Sequence, residues 1–445
     1  MKIAFSSLGI LLCILIVLLA FRTFNEDNQF LLGGIQVNEP DHQIWVNTLD
    51  EIGMNTVSVT VYAKQGDWNS DNFWYDEKSD WVISEIKAAK EKGLKVVLIL
   101  RVALDHAYER NKFLWHGMIM PKNDTLLKSW FEKYESFTNK WSIIAEQLDV
   151  DVLAIGSELR LLTATFPIDS IPNLEAYYLD TMQQNKYKRE TLQFKDEILT
   201  KHLWARGYDN MNSLEEYLEA KLAKYEYWAK QVSYNKDIDK INLRRKTILN
   251  YWGKVITVAK KHFHGKLTYA ANFDNYNKVA FWPLLDMMGI NAYYKLRNIE
   301  DSDKNLYETL YENWELIFSE IDTFKTKNNI KEMPVIFTEM GYTKRKNCTL
   351  EPWAADGFSV IEGKTENKLM VWKEQSSDTK ERTLAVKALG QLYKEKKIKL
   401  HGILYWKLST VSSHENIEPF LLNISEDARG KDELLDALLS FVNKE

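Results

Sequence analysis

With 445 residues, 45% of them hydrophobic and 27% charged, the chain has the makeup of a globular protein with enough apolar material for one or two large cores, which excludes an extended disordered polymer. A formal net charge of −5 leaves no basic field, and no lysine run is present, so neither nucleic acid nor an anionic membrane surface is an expected partner. Cys13 and Cys348 are the whole cysteine complement, and Cys13 lies in the first apolar segment, which rules out a disulfide framework and a cysteine-based zinc site.

Residues 4–21, AFSSLGILLCILIVLLAF, follow a single Lys2 and form an apolar run of the length of a signal h-region and near the lower limit for a membrane span. Residues 1–24 are therefore expected to direct export, as a cleaved signal peptide or as an uncleaved membrane anchor. Neither a clear small-residue cleavage site before Arg22 nor a good lipobox before Cys13 decides between them. The protein is then either secreted or tethered.

From about residue 30 to 445, short apolar, β-branched runs alternate with segments of helical periodicity. Eight runs read as strands: 33–37, 55–63, 95–103, 151–159, 266–274, 286–294, 334–342 and 402–410. Most are continuously apolar, as strands covered on both faces should be. DHQIWVNTLDEIG and SDWVISEIKAAKEKG read as crossover helices that stop at Lys/Gly signals. The expected fold is α/β, a (β/α)8 TIM barrel. A doubly wound open sheet is the rival, and it lacks the Gly-rich turn after its first strand. After the fourth strand the connection is far longer than a crossover needs, and its aromatic and apolar residues at helical spacing among Lys and Glu predict a helical insertion at about 165–245.

In a barrel the chemistry belongs at the C-terminal ends of the strands. Glu158, in AIGSEL, and Glu339, in IFTEMG, end the fourth and seventh runs, which face each other across such a mouth. Two carboxyls flanking one bond can serve as proton donor and nucleophile in glycoside hydrolysis; alone, each would read equally well as a strand-end acid paired with a loop. Neighbouring ends supply supporting groups: Tyr293 to hydrogen-bond the nucleophile, Trp406 to floor a sugar subsite, Asn272 and Arg101 as donors, and Tyr62 as a further ring. The 15 tryptophans and 22 tyrosines exceed what a core needs, which suits stacking on sugars, although a Trp-rich core accounts for part of them. Trp353 reads as a distal stacking ring or a loop pin. His262 and His264, in KKHFHGK, read as a helix-terminal turn rather than metal ligands, and no cofactor or metal motif is found.

AIGSEL, KLTYAANFDNYNKVAFWPLLDMMGINAYY and PVIFTEMGYT give the chain a resemblance to the clan A glycoside hydrolases, and more closely to glycoside hydrolase family 113, from about Gly33 to Leu408. The resemblance implies that Glu158 is the general acid/base and Glu339 the nucleophile of a retaining double displacement, with Tyr293 positioning the nucleophile and Trp406 beneath the reacting sugar. It implies a β-linked glycan as partner, β-1,4-mannan or manno-oligosaccharides first; another β-glycan, or a non-catalytic carbohydrate-binding barrel, are the alternatives. Three positions depart from the pattern. Ser157 stands where many clan members have Asn, Arg101 stands near where a histidine is expected, and Trp115, His116 and Gly117 resemble the family's Trp-Arg-Gly segment with the arginine replaced. Glu158 is expected to have a pKa raised by a less polar setting and by the charge of Glu339.

Overall fold

The computed structural model describes residues 29–163, 181–200, 213–232, 238–301, 305–354, 358–362, 368–372 and 376–443. The eight apolar runs become β1 (Leu31–Gln36), β2 (Thr56–Gln65), β3 (Lys95–Leu104), β4 (Val152–Ser157), β5 (Lys266–Asn272), β6 (Met288–Asn291), β7 (Val335–Met340) and β8 (Gly402–Ser409). Each pairs in parallel with its neighbour in sequence, and β8 closes back onto β1. The fold is therefore a closed TIM barrel.

Period-two alternation separates two apolar layers. Val57, Val59 and Val61 of β2 face outward into the large core between strands and helices, whereas Val97, Ile99, Val152, Ala154, Met287, Ile336 and Leu404 form a separate plug inside the barrel. On β3 the inward series continues from Val97 and Ile99 to Arg101, so the lumen changes from apolar to charged toward the C-terminal mouth. Eight tryptophans, Trp45, Trp68, Trp130, Trp141, Trp228, Trp252, Trp282 and Trp314, are fully buried. Much of the aromatic excess is thus core: Trp130 stacks on Tyr134, and Trp252 on Phe281.

The helices begin where capping residues permit. Asp41 accepts from the backbone N–H groups of Gln43 and Ile44 to start α1 (His42–Glu51), and Asn123 accepts from that of Leu126 to start the helix Asp124–Gln147. Within the stretch assigned from sequence to an insertion, helices occupy Thr181–Leu192, Lys195–Thr200 and Leu214–Val232, and Ile238–His262 leads into β5. Residues 164–180, 201–212 and 233–237 of that stretch lie outside the described residues. Helix Leu214–Val232 leans on the loop after β3: Tyr225 Oη donates to the Phe113 carbonyl at 3.2 Å, and Trp228 Nε1 to that of Met118 at 3.2 Å.

Short elements escape a periodicity reading. Phe73–Tyr75 adds an antiparallel strand to the end of β2, Phe358–Glu362 and Lys368–Trp372 form a separate hairpin, and Leu422–Asn423 lies beside β8. β6 is also shorter than its apolar run, because the pairing with β7 shifts register after Ile290 and releases Tyr293 from the ladder. His264 lies just past a helix end and pairs with Glu146, its Nδ1 2.8 Å from Oε1. Among the described residues no helix is long and apolar enough to cross a membrane; residues 4–21 lie outside them.

One buried acid tests the packing of the helical layer. Glu85, in the helix Asp80–Glu91, is 1% exposed and accepts a hydrogen bond from Gln36 Nε2 at 3.1 Å. Burial pushes its pKa up to about 7 despite that bond. A raised carboxyl means that the folded chain binds the proton more tightly than the unfolded one. The cost is absent below the usual carboxylate range, grows as pH rises, and is complete above about 7. Glu85→Gln should therefore raise the unfolding free energy by on the order of 3 kcal/mol at pH 8 and hardly at all at pH 4, as read by urea unfolding at the two pH values.

Candidate active site

β4 reaches the mouth through a narrow passage. A Cβ at Gly156 would lie 2.9 Å from both Tyr134 Oη and Tyr269 Cε2, so only glycine lets the strand pass under these rings. Between Ala154 and Ser157 the register with β5 slips by one residue, a bulge, and Glu158 then takes a left-handed φ of 54°. That conformation costs a non-glycine residue about 1–3 kcal/mol and needs surrounding bonds to hold it. The Glu158 N–H donates to the Ala270 carbonyl at 2.9 Å, and the Leu159 N–H to Tyr269 Oη at 2.7 Å. As a result Ser157 and Glu158, consecutive residues, both present side chains to the mouth.

A second slip serves β7. Ile290 pairs with Phe337 but Asn291 with Glu339, leaving one extra residue on β7. Thr338 Oγ1 donates to Asn291 Oδ1 at 2.8 Å, and Glu339 next to it also turns inward. The irregular strand ends thus turn inward Ser157, beside Glu158, and Glu339, side chains that strict alternation would send to the helical layer.

The carboxylates meet on Arg101. Its Nη2 donates to Glu339 Oε1 and lies 4.0 Å from Glu158 Oε2, while Nη2 and Nε also donate to Ser157 Oγ at 3.0 and 3.3 Å. Tyr293 Oη donates to Glu339 Oε2 at 2.9 Å, so each oxygen of this 2%-exposed carboxylate has a donor. Burial and the charge of Glu158 push the Tyr293 phenol well above its ordinary pKa, which keeps it a donor. On the other side, His116 Nε2 lies 2.8 Å from Glu158 Oε2.

The Glu158 carboxyl departs from expectation. Burial does raise its pKa, but the hydrogen bond from His116 and the charge of Arg101 outweigh burial and hold it at about 2. The expected rise rested on a less polar setting and on the charge of Glu339; the burial is there, but Arg101 takes up the Glu339 charge and faces Glu158 as well.

The other sequence-derived residues border this centre. The Trp406 ring has the Arg101 guanidinium 5.4 Å and Lys407 Nζ 3.9 Å from its centroid, and burial lowers the Lys407 pKa to about 8. Trp115 packs edge-on against His116 and is covered by Arg160, which pairs with Asp274. Asn272 ends β5, 9% exposed. Tyr62 pairs in register with Arg101, and its ring stands open at the rim. Trp353 stacks on Phe273 with centroids 5.6 Å apart. Sequence reasoning missed His116 as a direct partner of Glu158, the Asn291–Thr338 pair behind Ser157, and Arg160 with Asp274. Only the altered Trp115–Gly117 segment signalled one of them. Among the described residues no three His, Cys, Asp or Glu side chains converge as a metal site.

Two carboxylates presented by β4 and β7 at the mouth of a (β/α)8 barrel are the constellation of the barrel glycoside hydrolases. The profile of Glycoside Hydrolase Family 113 matches residues 36–237 and 182–368, most of the chain, which therefore belongs to that family. A β-mannanase of the family from Alicyclobacillus acidocaldarius has a similar structure, with a TM-score of 0.56 at 13% identity over 93% of this chain and 98% of that one. A β-1,4-mannanase of the family, solved as a complex, gives 0.52 at 14% identity over 94% and 100%. A comparison with curated protein sequences gives no match.

Removing the shared cation should be costly. Arg101→Met removes the cation that two buried carboxylates share and is expected to lower stability by about 3–5 kcal/mol. Adding Glu339→Gln should recover part of that loss. Urea unfolding of both variants gives the comparison, and equal stabilities of wild type and Arg101→Met would refute the role given to Arg101.

Proposed function

We propose that the protein is a retaining glycoside hydrolase of β-linked glycans, β-1,4-mannan or manno-oligosaccharides foremost. The observation that carries this reading is the convergence of Glu158 and Glu339 on one nitrogen, Arg101 Nη2. That closeness fits the carboxyl separation of about 5–5.5 Å used for double displacement better than the wider gap that admits a water.

In this reading Glu339 attacks the anomeric carbon while the electron pair of the cleaved C–O bond passes to the leaving oxygen, which takes a proton by way of Glu158. Water then loses a proton to Glu158 and displaces Glu339. Arg101 and Tyr293 hold the two Glu339 oxygens in place, and Trp406 lies under the reacting sugar. Trp115, Asn272 and Tyr62 border neighbouring sugar positions. The mannan preference is supported by the β-mannanases of like fold within the family. Residues 4–21 make the enzyme an exported one, secreted or tethered to a membrane.

Proton NMR of the first product released from mannohexaose should show the β anomer. Glu158→Gln should lose roughly 10²–10⁴-fold in kcat and recover partly with azide. Glu339→Gln should not turn over mannan. An α first product, or full activity in either variant, refutes the mechanism; binding without turnover across a polysaccharide panel would identify a binding barrel instead.

A further inference from the structure

A carboxyl held ionised by a hydrogen bond from His116 and by the charge of Arg101 can protonate a leaving sugar only if one of those partners returns a proton to it. The structure supplies a second proton carrier. His116 Nε2 is 2.8 Å from Glu158 Oε2, within hydrogen-bond reach, and it is 20% exposed. We propose that His116 and Glu158 act as one proton-holding couple, in which His116 positions the carboxyl and supplies the proton that Glu158 delivers to the leaving oxygen. This deepens the hydrolase reading and rests on it.

The geometry around His116 is that of a fixed group. It opens the short helix His116–Met118, with the Met118 N–H donating to the Trp115 carbonyl at 2.9 Å. Trp115 folds over Gly117 so closely that a Cβ there would meet its ring at 2.1 Å, and the ring edge abuts the imidazole at a centroid distance of 5.2 Å. From outside, Trp228 of helix Leu214–Val232 donates to the Met118 carbonyl. The turn that carries the imidazole is thus held by Trp228 and the ring itself by Trp115.

The charges facing the couple come from every adjoining element. Arg101 of β3 lies 4.0 Å from Glu158 Oε2 and is bonded to Glu339 of β7, and Asn291 of β6 donates to Ser157 Oγ at 3.5 Å beside it. Arg160 and Asp274 pair beside Trp115, and the Tyr269 phenol of β5 sits behind Leu159. A side chain with no transferable proton in place of His116 would leave Glu158 facing Arg101, which favours the carboxylate and does not give up a proton.

The N–H bond at His116 Nε2 breaks as an O–H bond forms on Glu158, leaving a neutral imidazole. That O–H bond breaks as the glycosidic oxygen takes the proton and the electron pair of the cleaved C–O bond. When water attacks the glycosyl-enzyme, its proton goes to Glu158 and returns to Nε2.

The test uses the full chain with His116→Gln and His116→Arg, each checked for an unchanged melting curve. The first variant should lose roughly 10²-fold in kcat on mannohexaose, and far less on a 2,4-dinitrophenyl β-mannobioside, whose leaving group needs no proton. Its alkaline limb of kcat/KM should move toward acid. Arginine keeps a cation and a donor but cannot release its proton, so His116→Arg should not restore the rate. Equal losses on both substrates with an unmoved pH profile, or full rescue by arginine, overturns the proposal. Nitrogen-15 NMR of the His116 ring in wild type and Glu158→Gln decides without turnover. Different titrations support the couple and identical ones overturn it. An inactive wild type with different titrations sinks the hydrolase reading alone.

Discussion

Two carboxylates brought together at the dry mouth of a barrel lose hydration and repel each other, and each penalty is large in a low-dielectric setting. Arg101 answers both. Its guanidinium bonds Glu339 directly, faces Glu158 at 4.0 Å and anchors on Ser157 between them. A lysine would offer a point charge without the planar fork that reaches several acceptors at once. The same placement explains why β3 changes from Val97 and Ile99 to an arginine: the apolar plug below supports a charge that has partners only above it.

Around this cation, irregularity is concentrated where chemistry is expected. The register slips at Ile35/Gln36 of β1, Ala154/Ser157 of β4, Ile290/Asn291 of β6 and Phe337/Met340 of β7 fall toward the C-terminal ends of those strands. A regular strand can offer the mouth only every second side chain. Bulges lift that restriction, so Ser157 with Glu158, and Thr338 with Glu339, serve the mouth as adjacent pairs. The lower halves of the strands stay regular and carry the packing.

Much of this was legible in the amino-acid sequence, for a physical reason. Strands buried on both faces need continuous apolar runs, and most of the eight barrel strands announce themselves that way. The acids Glu158 and Glu339 stand out because each interrupts such a run at its end. Arg101 and Trp406 also lie on the strands to which their runs assign them, and Tyr293 just beyond the end of β6. What did not show were features made by distant pairings. The depressed Glu158 carboxyl depends on His116, 42 positions earlier in the chain, and on Arg101, neither of which marks the local pattern of AIGSEL. Strand Phe73–Tyr75 is three residues long, too short for any period. The tryptophan count misled in part, since eight of those rings are fully buried packing.

The entry point of the chain has a further consequence. β1 starts at Leu31, whose N–H donates to the His401 carbonyl at the N-terminal end of β8, so the polypeptide joins the barrel on the face opposite Glu158 and Glu339. Gln29 and Leu31 border that floor together with Lys95, Asp151 and Lys266, the residues at which other strands begin. Were the apolar run before them to serve as the proposed anchor, the barrel would stand on its floor. The mouth would point outward, toward polymer arriving from the surroundings rather than toward the lipid.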